Sequence, residues 1–207
     1  MSDQMLILAS ASPRRADLLR WAGVPFEIDP AGIDETRRPS EAPMDYALRL
    51  AREKALAKSR PGRLTLGADT TVFIDQDIFD KPADREEAAE HLRLLSERTH
   101  QVVTAFGMAE GGALIQAEAV VSRVTFRRLS PVMIENYVAT GEGLDKAGAY
   151  GLQGLGGFLV ESIEGSYSSV IGLPLTEVLR AVAGHPLGKA IMENDSFAPA
   201  AQGFRLA

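Results

Sequence analysis

The sequence has no cysteine, which removes disulfides, thiolate nucleophiles and cysteine-ligated zinc but leaves the compartment open. It also has no apolar run near the ~20 residues that cross a bilayer. The longest largely apolar stretch, residues 5–11, has the length of a strand. Met1-Ser-Asp-Gln4 ahead of it carries no basic residue, so no secretory signal is read and the cytoplasm is the expected compartment. Positive charge is not in excess: 22 Lys and Arg stand against 28 Asp and Glu, a net charge of −6. That balance weighs against a nucleic-acid partner, which usually meets a broad basic face. It does not weigh against a small polyanion, which a few placed cations can hold. The three histidines, His91, His100 and His185, have no ligand spacing, and internal repeats and low-complexity tracts are missing too.

What is present is an ordinary globular composition: 207 residues, 45% hydrophobic and 24% charged, with mean hydropathy near zero. That length suffices for one core or for two small lobes sharing one. Residues 5–9 read as a buried strand. Ser12-Pro13 then opens a helix that Gly23 ends, with Ser as N-cap and Pro at the first helical position. Residues 30–41 read as a loop, and a second helix runs from Pro43 to about Lys58. A strand over 64–74 carries Asp69, and Asp84-Arg-Glu-Glu87 is a capping box. Strands over 99–108 and 113–127 flank Gly111-Gly112 as a hairpin. Helices start at Ser130-Pro131 and at Pro174, with a glycine-rich stretch over 141–157 and a strand near 158–163 between them. This order gives an α/β fold with a mixed sheet. Residues 1–184 are taken as a single domain and 185–207 as a poorly ordered tail.

Several residues stand out chemically. Ala9-Ser-Ala-Ser12 followed by Pro13-Arg14-Arg15 places free N–H groups and two arginines at a helix start. Cations there are locally unfavourable unless an anion binds; the alternative is a solvated basic turn. Lys54 shares a helical stripe with Ala47 and Leu50, so it either snorkels to an edge or points into a cleft. Asp69 lies among the apolar residues of a central strand, where an ionised carboxylate is costly unless paired or bound to metal. Glu35 and Lys81, read alone, are loop charges. Ser12 has no histidine and acid partner, which argues against a serine nucleophile.

In chain order the sequence carries Ser10-Ala-Ser-Pro-Arg-Arg15, Ile33-Asp-Glu35, Leu50-Ala-Arg-Glu-Lys-Ala55, Gly67-Ala-Asp-Thr70, Lys81-Pro82 and Thr99-His-Gln-Val-Val-Thr104. Leu144-Asp-Lys-Ala-Gly-Ala-Tyr-Gly-Leu-Gln-Gly154, Gly165-Ser-Tyr167 and Gly172-Leu-Pro174 follow. This series resembles the Maf family of nucleotide pyrophosphatases from Met5 to about Ala183. Arg14, Thr70, Gln153 and the Gly165 segment are similar to the branch acting on dTTP and UTP rather than on methylated GTP.

The resemblance implies an elongated, twisted mixed sheet flanked by helices, with two lobes around a deep cleft, as in Maf and ITPase-like proteins. It implies hydrolysis of a pyrimidine nucleoside triphosphate to the monophosphate and pyrophosphate. Asp69 would be the proton acceptor and, with Glu35, would hold Mg²⁺ or Mn²⁺. Ser12, Arg15, Lys54 and Lys81 would bind substrate, and Arg14, Thr70 and Gln153 would set specificity. In the base contact, the Gln153 oxygen would accept from N3–H while its nitrogen, Thr70 or Arg14 donates to a carbonyl. A homodimer is expected on family similarity alone. Competing readings are a pyrophosphatase for methylated GTP and a non-catalytic nucleotide-binding regulator of septum formation.

Overall fold

A computed structural model describes residues 5–192 of the chain. The first strand, β1 (Leu6–Leu8), is fully buried. It leads into α1 (Pro13–Trp21), which starts on Pro13 and gives way to Gly23 at φ +75°. Glycine reaches that left-handed conformation without a Cβ penalty. β2 (Phe26–Ile28) returns parallel to β1. A loop then precedes α2 (Pro43–Ala57), and β3 (Thr65–Ile74) turns back through β4 (Asp77–Phe79).

Next come α3 (Arg85–Leu95), whose N-cap Asp84 accepts from Glu86 and Glu87 N–H, and the long hairpin of β5 (Thr99–Glu110) and β6 (Ala113–Phe126). Gly111 and Gly112 have φ of +58° and +84°, the pair of positive angles that a twisted two-residue hairpin turn demands. α4 (Pro131–Ala139), β7 (Val160–Glu164), α5 (Tyr167–Ile171), α6 (Leu175–Gly184) and α7 (Pro186–Met192) complete the order.

Among the described residues, seven strands form one mixed sheet in the order β2-β1-β3-β5-β6-β7, with β4 also on β3. β5 pairs with β3 along residues 65–73. On the other side of β3, β1 reaches only Thr65 and Leu66 and β4 only Val72 to Ile74. Residues 67–71 of β3 therefore have a strand on one side and a gap on the other.

The apolar core divides at the same place. Leu6, Leu8, Leu66, Leu19 and Val178 pack together on one side. Val72, Phe79, Leu92, Val124 and Ile134 pack together on the other. The cleft lies between these two clusters, where the short strands stop.

α2 crosses the opposite face and comes closest at two glycines. A Cβ on Gly67 would lie 2.4 Å from Ala51 O and Ala55 N, and one on Gly107 would lie 3.0 Å from Ala51 O.

The first residues of the segment taken from the sequence as a poorly ordered tail, 185–207, include α7. Leu187 and Ile191 sit four residues apart on α7 and pack into the first cluster, with Ile191 buried. Their stripe is too short to stand out as a period in the sequence. Residues 193–207 lie outside the described residues.

Replacing Gly67 with Ala should lower stability by more than about 2 kcal/mol, because α2 must move off the sheet. Chemical denaturation reads this directly. A variant as stable as the parent would contradict the close packing.

Candidate active site

The gap in the sheet opens into a cleft of about 550 Å³, the size of a small-molecule site. Strand alternation lets one short stretch of β3 serve two walls. Gly67 lies against α2, and Asp69 shares its side of the strand. Ala68 and Thr70 point the opposite way, and both Asp69 and Thr70 reach the cleft.

On the α2 side, Lys54 extends from the packed stripe into the cleft rather than out to an edge. Its Nζ donates to Asp69 Oδ1 at 2.8 Å and lies 3.1 Å from Glu35 Oε1. Lys54 and Asp69 are buried, while Glu35 is half exposed. Burial pushes the Asp69 carboxyl above the usual carboxylate range, and the charges of Lys54 and Arg15 pull it part of the way back. A carboxylate so placed is a stronger proton acceptor than one on the surface.

The loop bearing Glu35 is itself fastened to α2. Tyr46 donates its hydroxyl proton to Glu35 O at 2.8 Å. Arg49 forks onto Glu41 at 2.6 and 2.8 Å and also donates to Thr36 O.

On the other side, Arg15 is buried and bolts three segments together. Its Nε donates to Gly172 O, its Nη1 to Ser10 Oγ and Ala68 O, and its Nη2 to Thr70 Oγ1. Four of its five N–H groups are thereby engaged, leaving one for a ligand. Desolvation lowers the Arg15 pKa from its usual value, with the charge of Asp69 opposing it. The expected triphosphate clamp is thus first a structural bolt.

Ser10, the first residue of the motif ending at Arg15 and given no role of its own from the sequence, accepts from Arg15 and from Ser12 N–H at 3.2 Å. Both lone pairs are used, so its one hydrogen is left to donate into the cleft it lines. Ser12 makes no side-chain cap on α1, so the first N–H groups of that helix also stay uncapped. Arg14 reaches Asp145 at 3.2 Å across the cleft mouth, and Lys81 is exposed on its rim.

Gln153 stands on the glycine-rich stretch, and a carboxylate organises that stretch. Glu142 accepts from Leu155 N–H at 2.8 Å and Gly156 N–H at 2.9 Å, and from the Tyr137 hydroxyl at 3.0 Å. Tyr137 Oη in turn accepts from Gly151 N–H. The bonds bracket Gln153 from both sides. A Cβ on Gly154 would collide with the Glu142 carboxylate at 2.3 Å.

All nine residues singled out in the sequence line this one cleft. Ser10, Tyr46 and Asp80 line it as well. Only their presence within or beside the motifs marked them beforehand.

Among the described residues no group of three His, Cys, Asp or Glu is arranged to hold a metal. Glu35 and Asp69 do converge on one point, now filled by the Lys54 ammonium. A pair of carboxylates fits a hard cation that completes its shell with phosphate oxygens and water.

Buried cations, an uncapped helix start and converging carboxylates thus meet around one cleft. The chain belongs to the Maf family, whose description "Maf-like protein" matches residues 5–185. It is 51% identical over 175 residues to the dTTP/UTP pyrophosphatase of Escherichia coli O157:H7, covering 83% of this chain and 88% of that protein. It is 50% identical, with the same coverage, to the nucleoside triphosphate pyrophosphatase of Shigella flexneri. The fold is similar to that of a HAM1 protein from Coxiella burnetii, with a TM-score of 0.50 at 16% identity over 87% of this chain and 99% of that one.

The Glu41–Arg49 latch gives a pH test of how the Glu35 loop is held. Its hydrogen bonds to Arg49 lower the Glu41 pKa to about 2. A depressed carboxyl pKa contributes stability above the ordinary glutamate range, and that contribution disappears as pH falls through the lowered value. The stability difference between the parent and Glu41→Gln, read from urea midpoints, should be full at neutral pH and close as pH approaches 2. A difference independent of pH would contradict the latch.

Proposed function

We propose that the chain is a nucleoside triphosphate pyrophosphatase that cleaves dTTP and UTP between the α- and β-phosphates. The observation that carries this reading is Asp69, a buried carboxylate in the cleft wall paired with a lysine that also meets Glu35. The names of the Escherichia and Shigella relatives supply the reaction and the substrates.

Hydrolysis at the α-phosphorus needs a positioned water, charge neutralisation and an in-line path. Water forms the new P–O bond to the α-phosphorus as the bond to the bridging oxygen breaks. The products are the nucleoside monophosphate and pyrophosphate, and the water proton leaves to a base. Asp69 orients that water and takes its proton, an action typically worth about 10²- to 10⁴-fold. Lys54, Lys81 and the remaining Arg15 N–H hold the triphosphate. The Ser10 hydroxyl and the uncapped start of α1 donate hydrogen bonds to its oxygens. Glu35 and Asp69 would hold a divalent metal such as Mg²⁺ or Mn²⁺, which when bound neutralises charge on the phosphates. Arg14 and Gln153 line the same cleft and are the base-reading groups with Thr70. Leaving a buried polar group unpaired against the wrong base costs about 1–3 kcal/mol.

Asp69→Asn keeps the shape and the Lys54 contact but removes the proton acceptor. Pyrophosphate release from UTP should fall by at least about 10²-fold, with the circular dichroism spectrum and a cooperative melting transition retained, at a lower temperature because Lys54 loses its charged partner. A folded variant that turns over at the parent rate would remove Asp69 from the mechanism.

A further inference from the structure

Behind Thr70 runs a chain of hydroxyls that the reaction itself does not require. Thr70 and Thr104 are direct cross-strand partners on β3 and β5, and their Oγ1 atoms are 3.0 Å apart. Thr104 Oγ1 lies 2.7 Å from Ser169 O. Arg15 Nη2 lies 3.2 Å from Thr70 Oγ1. Thr104 and Ser169 are fully buried, whereas Thr70 is half-buried and lines the cleft.

Counting protons fixes the direction of every bond. A carbonyl oxygen only accepts, so the single Thr104 hydroxyl hydrogen goes to Ser169 O. Thr104 can then only accept from Thr70, which spends the Thr70 hydrogen. A guanidinium only donates, so Arg15 occupies one Thr70 lone pair. What Thr70 has left for the cleft is one lone pair, and its hydroxyl cannot donate to a base carbonyl. That removes one of the three donors considered from the sequence for the carbonyl contact.

We infer that Thr104 is a positioning residue for base selection: by taking the Thr70 proton it presents Thr70 to the cleft as an acceptor only. The ligand edge that fits is an imide N–H, the protonated N3 shared by uracil and thymine, so Thr70 takes the acceptor role first expected of the Gln153 oxygen and the Gln153 amide nitrogen is left to donate to a carbonyl. Cytosine offers an unprotonated N3 at that place, so two lone pairs would face each other. The inference rests on the proposed hydrolysis of dTTP and UTP and assigns part of its selectivity to a residue outside the cleft.

The test compares kcat/KM for UTP and CTP in the parent, Thr104→Val and Thr104→Ser. Valine keeps the shape but removes the acceptor behind Thr70, whose hydrogen can then turn into the cleft and donate to cytosine N3. The UTP/CTP ratio should fall about tenfold, the worth of one hydrogen bond, and should do so with a rise in kcat/KM for CTP. Serine should hold the ratio within about twofold. Simple damage to the sheet would lower both substrates together, and an unchanged ratio in Thr104→Val overturns the inference.

Thr70→Val, which deletes the acceptor, is the second variant and should also lower the ratio. In the unaltered protein, N3-methyl-UTP should turn over at least tenfold less efficiently than UTP, and equal turnover would overturn the inference without any variant. Failure of the unaltered chain to release pyrophosphate from UTP at all would instead contradict the proposed function.

Discussion

The structure turns on a buried ion pair placed where the sheet has been left incomplete. Lys54 and Asp69 meet at 2.8 Å, both largely out of solvent. Moving two charges out of water costs several kcal/mol per ion, and apolar residues of similar volume would often serve stability as well or better. The pair sits at residues 67–71 of β3, the stretch that neither β1 nor β4 covers. Without that gap Asp69 would be sealed in the core. Without Lys54 it would be an uncompensated carboxylate.

Most of the surrounding architecture serves to hold this arrangement. The close approach of α2, made possible by Gly67 and Gly107, brings Lys54 to Asp69. The Tyr46 and Arg49 contacts keep the Glu35 loop against the same helix. Across the cleft, Arg15 ties α1 to β3 and to the turn at Gly172, and Glu142 shapes the strip that carries Gln153. The α2 wall therefore gathers the acids and the lysine, and the opposite wall presents fixed hydrogen-bonding groups. That division suits a ligand with a charged tail and a polar heterocycle.

Much of this was legible in the sequence. Helix starts at Pro13, Pro43 and Pro131 and the Gly111-Gly112 turn carried strong local signals, and the structure has elements at each. The short strands β2 and β4 were not legible. Three residues are too few for a period, and only pairing with β1 and β3 makes them strands. The same holds for α5, five residues capped by Ser166, and for α7. Asp69 announced itself as a charge in an apolar run, and Lys54 by its place on a packed stripe. Ser10 and Thr104 gave no such sign. A small hydroxyl beside alanine or valine is ordinary, and its role depends on which donors and acceptors the fold sets against it.

The central claim is that the Lys54–Asp69 pair is kept for chemistry at the expense of stability. The direct measurement is on the double variant Lys54→Met with Asp69→Asn, followed by melting temperature and pyrophosphate release from UTP. The melting temperature should lie at or above that of the parent, since both buried charges leave together, and pyrophosphate release should be lost. A double variant that melts far below the parent, or that still hydrolyses UTP at the parent rate, would contradict it.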